Sequence, residues 1–278
     1  MSIRKIYNVI GIMSGTSMDG LDFSYIKTDG KNYVKIIYEK SYRYTNNYRI
    51  KLRAITKLYN LNKKIDTLLK HDTFVTDEFI KKIKKFINEF KINKSIIDFI
   101  GISGQTVFHD PKNYKSIQLG SNETIQKKIN IKIIGKFREN DIKNGGQGAP
   151  IGAFYHKYII NKISNKSAIV NIGGISNITF VKNKKLIAFD CGPGNALIDD
   201  LMFYFFKRNF DKNGKCASRG RINKNLIDKF QNDSYFNLKY PKSLDREHFK
   251  EFYKKLKKLK KLNSISTASI MTVVSIYN

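Results

Sequence analysis

Hydrophobic and polar residues alternate along the start of the chain in the pattern of β-strands. Short apolar runs predict three consecutive strands at Tyr7 to Met13, Leu21 to Thr28 and Tyr33 to Tyr38. The second connecting turn contains Asp29 and Gly30, a pair typical of tight turns. Strands joined by such short turns pair with their neighbours along the chain, so the sequence predicts an antiparallel meander.

The apolar residues then recur at helical spacing. Two stretches, around Tyr48 to Leu58 and Phe74 to Phe90, are predicted as helices whose lysine-rich face is solvated. Apolar runs at Ile96 to Ile102, Ile117 to Gly120 and Ile131 to Ile134 predict strands that continue a β-then-α alternation. This alternation indicates parallel pairing and an α/β fold.

The opening pattern returns after a glycine-rich segment near Gly145. A helix is predicted from Ile151 to Ile160. Strands are predicted next at Ala168 to Ile172, Ile178 to Val181 and Leu186 to Phe189. The repeated order favours two duplicated lobes, residues 1–145 and 146–278, with a ligand cleft between them. Two unrelated β-hairpins are the alternative.

The last part of the chain is predicted to be helical. Arg246 to Leu262 has the pattern of a basic amphipathic helix with Leu256, Leu259 and Leu262 facing inward. Packing against the protein is favoured for this helix, and a membrane-surface role is the alternative. Ser264 to Tyr277 is predicted as a further helix.

Composition places the chain among globular proteins with a sizeable core, because 41% of its 278 residues are hydrophobic. The formal net charge is +29, but the lysines are scattered and no nucleic-acid-binding module is recognisable. We therefore expect no specific nucleic-acid partner, although a basic surface attracts polyanions nonspecifically. No apolar run reaches the roughly 18 residues of a membrane span, no signal peptide is recognisable, and two cysteines are too few for a disulfide framework. A cytoplasmic protein without membrane association is expected.

The turn between the first two predicted strands, together with the strand ends on either side of it, is rich in small, hydroxylated and acidic residues. These are Gly11, Gly15, Thr16, Ser17, Asp19, Gly20 and Asp22. Glycines let the backbone approach a ligand closely, hydroxyl groups add hydrogen-bond donors, and the carboxylates are suited to orient a hydrated Mg²⁺ ion. The turn is a candidate phosphate-binding loop, and a glycine-rich hairpin turn without a ligand is the alternative.

Asp190 is the second candidate, because it follows a predicted strand and precedes a Gly-Pro-Gly turn that opens an apolar helix. Ligands collect at such strand ends, where a carboxylate can act as a general base. Accepting hydrogen bonds from turn amides, or capping the helix, is the alternative role. The histidines lack the paired spacing of metal ligands and are interpreted as surface or packing residues; they are His71, His109, His156 and His248.

Four segments in order resemble the motifs of the bacterial anhydro-N-acetylmuramic acid kinase family. They are Gly11 to Asp22, Asn144 to Pro150, Asn171 to Thr179 and Phe189 to Asn195. The resemblance extends along essentially the whole chain. It implies two duplicated ribonuclease-H-like lobes, as in the superfamily of sugar kinases, heat-shock chaperones and actin, which close on a nucleotide, with the second lobe incomplete.

The resemblance also implies a reaction and its residues. ATP with Mg²⁺, water and 1,6-anhydro-N-acetylmuramic acid would give ADP and N-acetylmuramic acid 6-phosphate, a step in peptidoglycan recycling, and no other metal site is implied. Asp190 corresponds by position to the base that activates the water. The implied nucleotide-binding residues are Gly15, Thr16, Ser17, Met18, Asp19, Gly20, Leu21, Asp22, Gly173 and Gly174. The implied sugar contacts are Gln105, Arg138, Gly146, Gln147, Gly148 and Asn195.

The sequence departs from the family pattern in two respects. Family members are expected to continue for roughly another quarter of their length beyond the equivalent of Asn278, in a portion that holds adenosine and touches the sugar. Ser103, Lys136 and the pair Leu244 and Asp245 stand where His, Asp and Thr-Gly are usual. An inactive truncated remnant, a sugar-binding relic or one half of a split enzyme is therefore the alternative to an active kinase. A homodimer and a complementing C-terminal fragment are the alternatives considered for its assembly.

Overall fold

The computed structural model describes residues 5–15, 17–61, 68–164, 166–245 and 248–278. The chain divides into two compact units, Met1–Gly148 and Ala149–Asn278, called the N-terminal and C-terminal units below. The division falls inside the glycine-rich segment Asn144 to Pro150, and the lobes 1–145 and 146–278 stay a prediction.

The N-terminal unit is built on a mixed sheet whose described strands have the order β3-β2-β1-β4-β7. The strands of this unit are β1 (Tyr7–Ser14), β2 (Gly20–Thr28), β3 (Val34–Arg43), β4 (Phe99–Ile102), β5 (Gln105–Asp110), β6 (Lys115–Leu119) and β7 (Ile133–Ile134). The predicted antiparallel meander of β1, β2 and β3 is confirmed, and so is the parallel pairing of β1 with β4 and of β4 with β7. β6 departs from the predicted alternation, because it pairs antiparallel with β5 in a separate hairpin.

The described helices of the N-terminal unit are α1 (Asn46–Leu61), α2 (Leu68–Glu89), α3 (Asn122–Ile129) and α4 (Phe137–Lys143). Helices α1, α2 and α3 contribute apolar residues to the core of this unit, and the shorter α4 lies near β6. In α2, the fully buried Phe79, Ile83 and Phe86 follow one another at helical spacing. Phe86 stacks on Phe23 of β2 with ring centroids 5.0 Å apart. Burying each such side chain stabilises the fold by about 1.5–3 kcal/mol, which explains why the lysine-rich face turns outward.

The C-terminal unit carries a second antiparallel meander, in the order β10-β9-β8. Its strands are β8 (Ala168–Ile172), β9 (Ile175–Lys182) and β10 (Lys185–Pro193). Its helices are α5 (Ala153–Ile163), α6 (Asn195–Phe206), α7 (Lys224–Gln231), α8 (Lys250–Lys257) and α9 (Lys261–Tyr277). Each unit thus contains a three-stranded meander, while the duplication of the lobes stays a prediction. Within the described ranges, no helix has both the length and the apolar character needed to cross a membrane.

Two predicted elements of the C-terminal unit are corrected. The strand predicted to end at Phe189 continues to Pro193, so Asp190 lies inside β10 and not after it, because pairing with β9 resumes beyond a register shift at that point. The basic helix predicted from Arg246 to Leu262 is shorter than expected, and Arg246 lies outside the described residues. α8 ends at Lys257, and Leu262 belongs to α9, which begins at Lys261, because the backbone at Lys260 is not helical.

Candidate active site

The predicted phosphate loop connects β1 to β2, and its backbone is held from inside the N-terminal unit. Met18 adopts a left-handed conformation with φ of 55° and donates its amide hydrogen to the Gly15 carbonyl oxygen at 3.2 Å. Its side chain is only 2% exposed and belongs to the core. Arg49 Nε donates to the Met18 carbonyl oxygen at 3.2 Å, and the Tyr44 amide donates to the Asp19 carbonyl oxygen at 2.9 Å. These bonds fix a conformation that a non-glycine residue adopts only with support from its surroundings.

The side chains at the surface of this loop present hydroxyl and carboxylate oxygen atoms. Ser17 Oγ donates to Asp19 Oδ1 at 2.5 Å, and Ser41 Oγ donates to Asp22 Oδ1 at 2.5 Å. Both carboxylates are exposed. Thr16, which was also predicted to contact the nucleotide, lies outside the described residues.

Gly20 and Leu21 have structural roles that their predicted place in a nucleotide site did not suggest. A Cβ atom on Gly20 would lie 2.5 Å from the Tyr42 carbonyl oxygen, so glycine is what lets β2 and β3 approach here. Leu21 is fully buried in the core. Leu21, like Met18, could therefore contact a ligand only through its backbone.

A buried network of polar side chains lies beneath the loop and is called the Ser14 network. Ser14 Oγ donates to Gln105 Oε1 at 2.5 Å, and Gln105 Nε2 donates to the Gly15 carbonyl oxygen at 3.3 Å. The Ser14 amide donates to Ser103 Oγ at 3.1 Å. Gln105, predicted as a sugar contact, is fully buried and hydrogen-bonds to the phosphate loop.

Side chains of α4 hydrogen-bond to the glycine-rich segment Asn144 to Pro150. Arg138 Nη1 donates to the Gly148 carbonyl oxygen at 2.7 Å, and the Gly148 amide donates to Asp141 Oδ2 at 2.7 Å. A Cβ atom on Gly146 would collide with the Asp141 carboxylate, and Gly148 has φ of 64°. The backbone conformation therefore favours glycine at position 148, the Asp141 side chain occupies the space beside Gly146, and the predicted sugar contacts Arg138, Gly146 and Gly148 lie together.

His109 lies next to this cluster, although the sequence around His109 did not indicate a functional site. Its Nδ1 lies 2.9 Å from Ser116 Oγ. Burial, and then the nearby Arg138 guanidinium, lower the pKa of His109 to about 4, against the opposing effects of Asp110 and of a hydrogen bond with the Gln147 backbone. The imidazole is therefore neutral at neutral pH. No spacing signal could have found it, because Arg138 and Gln147 are distant in the sequence.

In the C-terminal unit, the turn between β8 and β9 is joined to the start of α6. The carbonyl oxygens of Gly173 and Gly174 accept hydrogen bonds from the amides of Asn195 and Gly194, at 2.7 and 3.0 Å. Asn195 Nδ2 donates to the Ile172 carbonyl oxygen at 2.9 Å. The second predicted phosphate turn and the predicted sugar contact Asn195 are thus held together by hydrogen bonds.

Asp190 lies in β10 and is only 6% exposed. Its Oδ2 accepts a hydrogen bond from the amide of Leu244, a residue distant in the sequence and not part of the Gly-Pro-Gly turn, at 2.8 Å. Its backbone carbonyl oxygen accepts from Tyr235 Oη at 2.5 Å, and its amide donates to the Lys242 carbonyl oxygen at 3.2 Å. The Asp190 carboxylate is therefore buried and hydrogen-bonded to the backbone.

A family model described as anhydro-N-acetylmuramic acid kinase matches residues 7–277. The chain belongs to the anhydro-N-acetylmuramic acid kinase family. The chain is 36% identical to the Pelagibacter ubique member over 250 residues, which cover 84% of this chain and 64% of that relative. The Legionella pneumophila member is 35% identical over 86% of this chain and 65% of its own length, and a Rhodopseudomonas palustris member is 37% identical over 86% and 67%.

Family membership confirms the resemblance drawn from the four motifs. The mixed α/β architecture with parallel pairing in one sheet is consistent with a sugar kinase or actin-like fold. The chain spans less than two thirds of the length of the Pelagibacter and Legionella relatives. The roles of individual residues stay predictions.

Three positions that were expected to depart from the family pattern have contacts of their own. The Ser103 hydroxyl belongs to the Ser14 network. Lys136 precedes α4 with φ of 57°, and its Nζ lies 3.8 Å from Glu139 Oε1 on the exposed surface. Leu244 binds Asp190 through its backbone, so this contact does not depend on the Leu244 side chain.

The residues of the first loop fit the Mg²⁺ ion that accompanies ATP in kinases. Asp19 and Asp22 present carboxylate oxygens at the surface, and Mg²⁺ prefers one or two carboxylates together with water and phosphate oxygens. In the part of the chain that the structure describes, no group of three His, Cys, Asp or Glu side chains is arranged to hold a metal ion.

Proposed function

We propose that this protein is an ATP-dependent kinase that hydrolyses the 1,6-anhydro ring of anhydro-N-acetylmuramic acid and phosphorylates the freed O6. The family match over residues 7–277 carries the proposal, because it includes both glycine-rich turns and Asp190. The relatives from Pelagibacter, Legionella and Rhodopseudomonas bear the name of this kinase. The product is N-acetylmuramic acid 6-phosphate, and we place the reaction in the cytoplasm as a step of peptidoglycan recycling.

Asp190 serves as the general base in this proposal. Its carboxylate takes a proton from water, the resulting hydroxide bonds to the anomeric carbon, and the bond from that carbon to O6 breaks. The O6 oxygen then bonds to the γ-phosphorus, and the bond to the ADP oxygen breaks. The low exposure of Asp190 and its bond from the Leu244 amide support this role, because both restrain the carboxylate.

The glycine-rich turns serve the nucleotide. The first loop offers backbone amides and the Ser17 hydroxyl to phosphate oxygens, and its anchoring by Arg49 and Tyr44 keeps these donors in place before ATP binds. Asp19 and Asp22 would hold Mg²⁺ through its waters, and this ion supplies charge neutralisation when bound. The turn at Gly173 and Gly174 contributes the second nucleotide contact.

The predicted sugar contacts orient the muramyl substrate. Arg138 brings a positive charge suited to the lactyl carboxylate of that sugar, and neutral His109 adds a group able to hydrogen-bond a sugar hydroxyl. Gln147 lies beside them. A homodimer and a complementing C-terminal fragment stay predictions for the assembly of this protein.

The Asp190→Asn variant tests the base. We expect ADP release in the presence of ATP, Mg²⁺ and the anhydro sugar to fall by a factor of at least about 10³, because the amide cannot take the proton. Calorimetry should show sugar binding still measurable. Asp228→Asn, which changes an exposed carboxylate on α7, is the matched control and should turn over like the wild type. Normal turnover by Asp190→Asn contradicts the assignment of the base, and absence of ATP binding by the wild type contradicts the kinase itself.

A further inference from the structure

Asp190 lies on β10, which forms one edge of the described meander β10-β9-β8. The outward amide and carbonyl groups of an edge strand need partners from outside the sheet. For Asp190, both partners come from one later segment, residues 235–244. The Lys242 carbonyl oxygen accepts from the Asp190 amide at 3.2 Å, and Tyr235 Oη donates to the Asp190 carbonyl oxygen at 2.5 Å.

The same segment also holds the side chain. The Leu244 amide donates to Asp190 Oδ2 at 2.8 Å. The backbone amide, the backbone carbonyl and the carboxylate of Asp190 are therefore all bound by residues 235–244. The register shift between β10 and β9 begins at Asp190, where the ladder alone constrains the backbone less.

Tyr235 is itself firmly placed. It is only 2% exposed, and its amide donates to Asp233 Oδ1 at 2.9 Å. Its carbonyl oxygen accepts from Lys242 Nζ at 3.2 Å, and the same Nζ lies 4.6 Å from the centre of its ring. Burial raises the pKa of Tyr235, so its hydroxyl stays a protonated donor over the physiological range.

We propose that Tyr235 is a positioning residue for Asp190. Its hydroxyl fixes the Asp190 carbonyl, and this sets the backbone so that the carboxylate meets the Leu244 amide in one orientation. The inference rests on the proposed function, because the orientation of the carboxylate affects turnover only if Asp190 is the base.

Tyr235→Phe tests the inference, since it keeps the ring and removes the hydroxyl. Amide hydrogen exchange at Leu244 should become at least about tenfold faster, while Leu226, whose amide is bound by Asn223 Oδ1 at 2.9 Å, should keep its rate. The value of kcat should fall at least about tenfold with KM for ATP changed less than about twofold. Tyr240→Phe is the matched control, because Tyr240 stacks on Phe189 at 5.4 Å and is 47% exposed.

The two readouts separate the two proposals. Unchanged exchange at Leu244 in Tyr235→Phe overturns the positioning role, whether or not the protein turns over. Faster exchange at Leu244 with no turnover by the wild type supports the positioning role and counts against the proposed function. Lys242→Met, which removes the ammonium held against the Tyr235 carbonyl and ring, provides a second variant if Tyr235→Phe does not fold. It should also speed exchange at Leu244, and unchanged exchange there likewise counts against the inference.

Discussion

At the residue scale, close contacts around single glycines and one histidine have measurable consequences for stability. At Gly20 the backbone of β3 leaves no space for a Cβ atom, whereas a Cβ atom on Gly11 of β1 would meet no close neighbour. His109 combines burial with a neighbouring guanidinium. Each gives a prediction that depends on one side chain.

Gly20→Ala should lower the free energy of unfolding by about 1–3 kcal/mol, because its Cβ would meet the Tyr42 carbonyl oxygen at 2.5 Å and separate the two strands. Gly11→Ala is the control, since its Cβ would find its nearest neighbour, the Ser24 carbonyl oxygen, at 3.9 Å. The control should stay within about 1 kcal/mol of the wild type. Urea denaturation measures both, and equal effects would show that the close approach is not what requires glycine at position 20.

His109 should make stability depend on pH. Its folded-state pKa of about 4 lies below the ordinary value of 6.5, so the unfolded chain binds the proton more readily between these values. Stability is therefore lost as pH falls from about 6.5 to about 4. Replacing His109 with Gln should remove about 1–2 kcal/mol of this loss of stability. This value is smaller than the full pKa difference implies, because solvent screens the partly exposed imidazole. Unfolding midpoints at a series of pH values measure it.

Above about pH 8 the imidazole is neutral in both states, so the wild type and His109→Gln should show the same slope of stability against pH. This range serves as the internal control. Parallel curves between pH 4 and 6.5 would contradict the assignment of the lowered pKa.

At the element scale, the Ser14 network joins the end of β1 to the segment between β4 and β5. Ser103 accepts the Ser14 amide hydrogen, and Gln105 reaches from β5 to the Gly15 carbonyl. The phosphate loop is thus tied to elements that lie far along the chain. Its conformation depends on this junction as well as on its own glycines.

Ser103→Ala should leave the Ser14 amide without its acceptor and cost about 1–3 kcal/mol of stability. ATP affinity should also fall, because Ser14 immediately precedes the loop. Ser218→Ala, at an exposed serine of the C-terminal unit, is the control and should change little. Urea denaturation and calorimetry with ATP provide the two measurements. A variant as stable and as tight-binding as the wild type would show that the junction does not support the loop.

At the scale of the whole molecule, the net charge of +29 is the dominant feature. Scattered lysines repel one another, and salt screens this repulsion. The melting temperature should therefore rise by a few degrees between about 0.1 M and about 1 M NaCl, as the Debye length falls from about 10 Å to about 3 Å. A variant with the exposed Lys27, Lys35 and Lys115 changed to Glu should show a smaller rise. A melting temperature that falls with salt would contradict the repulsion.

The sequence by itself determined the local elements and the family. Period-two and helical patterns indicated the meander of β1 to β3, the strand β8 and the lysine-rich helices α1 and α2, because these patterns report which face of an element is buried. Four motifs in order indicated the kinase family, since the glycines and carboxylates of a turn can be recognised in the sequence without knowledge of any tertiary contact.

Only the tertiary structure decided where the candidate site residues lie relative to their neighbours. Asp190 is inside an edge strand and bound by residues 235–244, Gln105 points into the Ser14 network, and His109 lies beside Arg138. Each of these contacts joins residues that are distant along the chain. Local patterns report the periodicity of burial and the chemistry of turns, whereas such pairings arise from the packing of whole elements against one another.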